Sequence, residues 1–178
     1  MGMQKTFLYR LLACTSGMLA IAPAHGQTAL EYAVKAAYLT KFVPFIEWPD
    51  AAFSSASAPV TICILGTDPF GNAIEKAVGS SSGGSRSLSV RRISSADAAD
   101  GCQIVYTGDP DAGTLDVLGG KPVVTVTDSG APAHGVISFV TLNNHVRFDI
   151  DDAAAAKNGI RISSKLLELA HSVTRRSG

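Results

Sequence analysis

Residues 59–66 read PVTICILG, and this stretch decides the fold class of the chain. Its apolar, β-branched centre lies between a proline and a glycine, which is typical of a strand buried on both faces of a sheet. Asp68 and Pro69 follow immediately and favour a helix that continues to about Val78. A buried strand followed by a helix is the unit from which parallel sheets are built.

The same alternation continues beyond a Gly/Ser-rich loop at residues 79–87. Strand-like stretches recur at residues 87–93, 102–108 and 121–128, and short helical stretches separate them. Such connections favour right-handed crossovers between parallel strands. We therefore predict one three-layer α/β domain with a mostly parallel sheet.

The pattern changes in the last quarter of the chain. Residues 135–142 and 145–150 alternate on either side of Asn143-Asn144, which predicts an antiparallel hairpin. An alanine-rich helix should then follow Asp151-Asp152 and end at Asn158-Gly159. We predict a last strand at residues 160–162.

The two ends of the domain are predicted to be helical. The capping-box pattern at Thr28–Glu31, with apolar residues at three- and four-residue spacing, predicts a helix over residues 28–42. Leu30, Val34, Ala37, Tyr38 and Phe42 carry that spacing. A final helix is expected from Ser163 through Val173, with fraying from Thr174 onward.

The first residues of the chain carry an export signal. Lys5 and Arg10 precede an apolar run over residues 11–22, and Ala22-Pro23-Ala24 is typical of a cleavage site. The run is shorter than the roughly twenty residues that span a bilayer. We predict a secretory signal peptide over residues 1–24 and an exported domain over residues 25–178.

A lipoprotein cleavage box ending at Cys14 is the alternative to simple export. Removal of the signal peptide leaves Cys63 and Cys102, an even number of thiols in an oxidising compartment, and such thiols usually pair. We predict a Cys63–Cys102 disulfide. Two buried free thiols are the alternative.

Composition argues against several classes of function. Lysine plus arginine and aspartate plus glutamate each total 15, so no net basic field exists to bind nucleic acid. The four histidines lack the spacing of a zinc site, and residues 113–121 lack the glycine spacing of a phosphate loop. We predict no catalytic residue, no metal and no cofactor.

Polar side chains follow three of the predicted parallel strands. In open parallel sheets, ligands bind where the carboxyl ends of strands leave a crevice. The side chains expected at that edge are Thr67, Asp68, Thr107, Asp109, Thr127 and Asp128. The alternative is that each caps the helix that follows. The sequence identifies no ligand for this crevice.

An aromatic cluster lies around the segment EWP, residues 47–49. Aromatic residues at the end of a helix either dock on a partner protein or pack the helix onto its sheet. The residues that we predict to contact a partner are Phe42, Trp48, Phe148 and Asp149, the last two from the hairpin.

Several segments together resemble the YfiR-like family of bacterial periplasmic proteins. They are KFVPFIEWP, ICILGTDPFG, CQIVYTG, PVVTVTD and HVRFDIDDAAAAKNGIRISSKLLELA, and the resemblance extends from about Leu30 to Val173. It implies a flavodoxin-like or Rossmann-like domain that forms homodimers. Cys63 and Cys102 match a disulfide of the family, whereas a second family disulfide in the hairpin has no counterpart here.

The resemblance also implies a function. The family's namesake is a non-enzymatic periplasmic repressor that holds an inner-membrane diguanylate cyclase inactive by binding its periplasmic domain. An outer-membrane lipoprotein relieves this inhibition, and cyclic di-GMP output and biofilm formation follow. The alternative function is a small-molecule-binding sensor module that partners a membrane sensor kinase.

Overall fold

The computed structural model describes residues 25–81, 85–128, 131 and 133–176. The predicted signal peptide, residues 1–24, and Cys14 within it lie outside these residues. Among the described residues, no helix has the length and apolar character that crossing a membrane requires.

Five α-helices and nine strands alternate along the described part of the chain. The helices are α1 (His25–Phe42), α2 (Ala73–Gly79), α3 (Ala112–Leu118), α4 (Asp152–Lys157) and α5 (Ser164–Leu169). The strands are β1 (Ile46–Glu47), β2 (Val60–Leu65), β3 (Leu88–Ile93), β4 (Ile104–Thr107), β5 (Val124–Thr127), β6 (Ile137–Leu142), β7 (His145–Asp151), β8 (Arg161–Ile162) and β9 (Ser172–Thr174).

Seven of the strands form one sheet in the order β3-β2-β4-β5-β6-β7-β9. The first five of these strands run parallel, and β7 pairs antiparallel with β6. The separate strands β1 and β8 form a two-stranded antiparallel sheet. The mostly parallel sheet and the hairpin are therefore confirmed.

Helices cover both faces of the large sheet. On one face, α1 and α2 pack with the strands around a core that includes Leu39, Ile62 and Ile74. On the other face, Leu118 of α3 and Ala99 of the 3-10 helix Ala96–Ala99 enclose a smaller core. This arrangement confirms the three-layer α/β prediction.

The apolar spacing that predicts α1 does not mark its buried face. Leu30 is 67% exposed and Val34 is 38% exposed, whereas Lys35 and Leu39 are buried against the sheet. The helix therefore ends at Phe42 as predicted, but the chain is already helical at His25, before the predicted cap at Thr28. The helix is also rotated so that part of its apolar stripe faces solvent.

The predicted final helix through Val173 is wrong. Helix α5 ends at Leu169, and residues 172–174 form β9, which pairs in parallel with β7. The backbone N–H of His171 donates to the Phe148 carbonyl oxygen at 2.8 Å, which brings the two segments together. The new strand satisfies backbone groups of β7 that would otherwise form an open sheet edge.

The predicted fraying from Thr174 is also wrong for residues 174–176. Thr174 pairs with Asp151 in the sheet. The Arg176 guanidinium donates two hydrogen bonds to the Asp152 carboxylate, at 2.8 and 2.9 Å. This bidentate contact ties the end of the described chain to the start of α4.

Gly135 lies where the backbone entering β6 passes very close to β5. A Cβ at this position would meet the Thr125 carbonyl oxygen at 2.6 Å and its carbonyl carbon at 2.9 Å. We expect Gly135→Ala to lower the free energy of unfolding by about 1–3 kcal/mol, because the neighbouring atoms are backbone of a central strand and cannot easily shift.

The matched control is Gly79→Ala at the end of α2, where a Cβ meets nothing within 4 Å. This variant should change stability by no more than about 1 kcal/mol. Urea unfolding of both variants measures the difference, and equal stabilities would contradict the close approach at Gly135.

Candidate functional site

A crevice of about 790 Å³ lies at the carboxyl ends of β2, β3, β4 and β5. The chain leaves β2 toward α2 on one face of the sheet and leaves the adjacent β4 toward α3 on the other face. Because neighbouring connections diverge there, this is a topological switch point, where open α/β sheets bind ligands.

The Asp128 carboxylate, directly after β5, lies at the base of this crevice. Its Oδ2 accepts hydrogen bonds from the hydroxyls of Tyr106, at 2.7 Å, and Tyr32, at 3.0 Å. Its Oδ1 lies 2.6 Å from Nζ of Lys35, which also lies 2.6 Å from Oε1 of Glu31. Lys35 is 2% exposed, so α1 supplies a buried cation between two carboxylates.

The surroundings of this network stabilise one protonation state. Burial alone would lower the pKa of Lys35, but its hydrogen bonds to Asp128 and Glu31 outweigh this effect, and the pKa is raised above its usual value. Burial and the adjacent Asp128 charge raise the pKa of both Tyr106 and Tyr32. At neutral pH the lysine is therefore charged and both phenols are protonated.

A second surface lies around the EWP segment. The Trp48 indole N–H donates to the Gln103 carbonyl oxygen at 3.1 Å, and its ring contacts Phe53 edge to face. The Gln103 side chain donates to the Ala52 carbonyl oxygen at 2.6 Å and accepts from the Thr61 N–H at 2.8 Å. The buried Gln103 thus fastens the EWP segment to the sheet.

A groove of about 350 Å³ lies beside this segment, and we call it the EWP groove. Its lining includes Glu47, Trp48, Pro49, Arg161 and Arg176. Glu47 and Arg161 pair across β1 and β8, with 3.4 Å between Oε2 and Nη1, and both side chains are exposed.

Two of the residues predicted to contact a partner are buried. Phe42 is 1% exposed and Phe148 is 4% exposed, and their ring centroids lie 4.9 Å apart within the core. Neither ring offers surface to a partner, because both fasten α1 to the hairpin. Trp48 is half-buried beside the EWP groove, and Asp149 on β7 is half-buried with its Oδ1 2.9 Å from Nδ1 of His171.

The structure joins Cys63 and Cys102 in a disulfide, as the sequence predicts. Cys63 lies in β2, and Cys102 lies just before the adjacent strand β4. Both residues are buried on the α3 face of the sheet. The bond therefore crosses between neighbouring strands, immediately next to Gln103.

Most of the fold and the whole crevice lie within one stretch of family similarity, and so does the EWP groove except for Arg176. Residues 32–171, about four fifths of the chain, match the model of a family described as YfiR/HmsC-like. The chain belongs to the YfiR/HmsC-like family. No curated protein matches the chain significantly.

In this YfiR/HmsC-like chain, the crevice contains four of the six polar residues expected there: Thr67, Thr107, Asp109 and Asp128. Asp68 instead accepts from the Phe70 N–H, at 2.8 Å, and pairs with Arg92. Thr127 is fully buried and shares a hydrogen bond with Ser138 at 2.9 Å. Among the described residues, no group of three or more acidic, histidine or cysteine side chains is placed to hold a metal ion.

Sequence reasoning missed Lys35 and Tyr32, which reach the crevice from α1. The sequence did contain a signal. Lys35 follows Tyr32 by three residues, and it shares one face of the helix with the apolar residues Leu39 and Phe42. A cation on an otherwise apolar face indicates a buried partner, but the pattern does not identify Asp128 as that partner.

Proposed function

We propose that this chain is a periplasmic regulatory protein that binds the periplasmic domain of an inner-membrane diguanylate cyclase and holds the enzyme inactive. Membership of the YfiR/HmsC-like family over residues 32–171 carries the proposal. An outer-membrane lipoprotein would relieve the inhibition by competing for the repressor, and cyclic di-GMP output and biofilm formation would then rise.

The EWP groove suits the docking of a partner protein. Trp48 is held in place by Gln103 and Phe53, so it can bury aromatic area on binding with little loss of conformational freedom. The exposed Glu47–Arg161 pair contributes little to stability and can exchange for contacts with a partner. Arg161 favours an acidic group on that partner, because its exposed guanidinium becomes available when the pair with Glu47 opens.

The repression requires a large difference in affinity between two cyclase states. Moving an enzyme from 99% active to 99% inactive takes about 5.5 kcal/mol of preference for the inactive state. A homodimer of this chain that binds a dimeric cyclase would duplicate each contact and so reach that preference with fewer contacts per copy.

The genetic test measures cyclic di-GMP in cells. Deleting the gene should raise cyclic di-GMP in a strain that has the target diguanylate cyclase, and should have no effect when the gene of that cyclase is also deleted. An unchanged level in the first strain would contradict the cyclase as target and would favour a sensor kinase as the membrane partner.

The docking surface is tested by calorimetry with the purified periplasmic domain of that cyclase. We expect Trp48→Ala to weaken binding at least about thirtyfold, as for an interface hot spot, and Arg161→Glu to weaken it about tenfold through charge reversal. Lys165→Glu is the matched control, because it makes the same charge change at an exposed site outside the groove.

Arg161→Glu should not disturb folding, because the Arg161 side chain is exposed and the substitution removes only its ion pair with Glu47 at the surface. Circular dichroism and a thermal melt of each variant establish that the fold is retained. Undiminished affinity in both groove variants would overturn the assignment of this surface.

A further inference from the structure

The crevice at the carboxyl ends of β2–β5 offers hydrogen-bond acceptors that the protein itself leaves unused. Asp109 lies exposed at its wall, and the Asp109 carboxylate makes no hydrogen bond or ion pair with any described residue. Thr107 also lines the crevice and is only 5% exposed, yet its hydroxyl is hydrogen-bonded to no described residue. The Thr107 hydroxyl is therefore free to form a hydrogen bond with a molecule in the crevice.

The nearby cations are already paired. The Lys35 ammonium lies between Glu31 and Asp128, and the Arg92 guanidinium lies 2.7 Å from carboxylate oxygens of both Asp68 and Glu75. No lysine or arginine is among the described residues that line the crevice. A phosphate or carboxylate would therefore meet the Asp109 carboxylate without a compensating charge, since Lys35 is already shared between Asp128 and Glu31, and this is costly.

The remaining walls combine short hydroxyl side chains with apolar surface. Ser94 and Ser95 lie on one side, and Pro69, Pro110 and the ring of Tyr32 lie around the rest. A volume of about 790 Å³ is within the range of small-molecule sites. A ligand that donates hydrogen bonds, carries positive charge and has a short carbon chain matches every one of these groups.

We propose that this crevice binds a small organic cation that carries one or two primary amines. The Asp109 carboxylate would accept from one ammonium group, and the Thr107 hydroxyl would complete its coordination. The rest of the ligand would lie against the proline and tyrosine surfaces. This site is separate from the EWP groove, so the proposal of a ligand here does not depend on the proposed contact with the cyclase.

Three four-carbon probes of equal length test the charge preference by calorimetry. They are putrescine, which is a dication, 1,4-butanediol, which is neutral, and succinate, which is a dianion. We expect putrescine to bind and to raise the melting temperature with concentration, while the other two do neither. Equal binding of butanediol, tighter binding of succinate, or no binding of putrescine would each overturn the proposal.

Two variants test the location. Asp109→Asn should weaken putrescine binding about tenfold, because a charge-assisted hydrogen bond is lost. Asp116→Asn is the matched control, since Asp116 is an exposed aspartate of α3 outside the crevice and its replacement removes the same charge. An equal loss of putrescine affinity in both variants would indicate that putrescine is attracted non-specifically to the protein surface, and would reject the crevice as the site.

Discussion

Replacing both Cys63 and Cys102 with alanine is expected to lower the free energy of unfolding by about 4 kcal/mol. The disulfide joins residues separated by 39 positions, and closing a loop of that length removes much entropy from the unfolded chain. Since a domain of this size is usually stable by about 5–15 kcal/mol, the loss would be a large share of the total. Urea unfolding of the oxidised protein and the double variant measures it.

The same experiment has two internal checks. Wild-type protein unfolded with a thiol reductant should resemble the double variant. The chain has one tryptophan, and Trp48 is fastened to Gln103 next to Cys102, so the fluorescence of Trp48 should also change when the disulfide is lost. Two reactive thiols in the denatured, non-reduced wild type, or a loss below about 1 kcal/mol, would contradict the structural role of the bond.

Lys35→Met is expected to cost about 3–5 kcal/mol, because it leaves the largely buried Asp128 carboxylate without its cation. The Tyr32 and Tyr106 hydrogen bonds remain but do not neutralise the charge. The double variant Lys35→Met, Asp128→Asn should recover part of the loss, since an amide oxygen still accepts from the tyrosines. A cost below about 1 kcal/mol for the single variant, measured by urea unfolding at neutral pH, would contradict the account of this network.

The same network predicts how stability depends on pH. The folded state raises the pKa of Lys35, Tyr32 and Tyr106, so it retains protons that the unfolded chain releases above about pH 10. The stabilisation is complete below the unfolded pKa values and is lost as the pH rises through the folded values. Wild-type stability should therefore fall above about pH 10, and it should fall less steeply in Lys35→Met.

Several features could be predicted because they depend on local pattern. The strand at Val60–Leu65 and the hairpin around Asn143-Asn144 are encoded by apolar runs and turn residues within a few positions. The pairing of Cys63 with Cys102 could be predicted from a count of thiols together with the predicted export to an oxidising compartment. The position of the crevice followed from the rule that parallel strands end at one edge of the sheet.

Other features depended on contacts between distant segments. The sequence pattern around Phe42 and Phe148 is compatible with a docking surface and with a buried core. Only the packing of α1 across the hairpin places both rings in the core. Residues 172–174 have the local pattern of a helix end, but they form a strand because they pair with the otherwise open edge of β7.

The sequence by itself determined the order of strands and helices from β2 to β8, the parallel sheet, the disulfide and the family. These properties arise from short-range patterns and from the order of motifs along the chain. The tertiary structure alone decided which face of α1 is buried, and therefore that Lys35 meets Asp128 beneath the crevice. The physical reason is that burial of a helix face is set by the sheet it packs against, and a charged side chain is buried only where a distant partner compensates it.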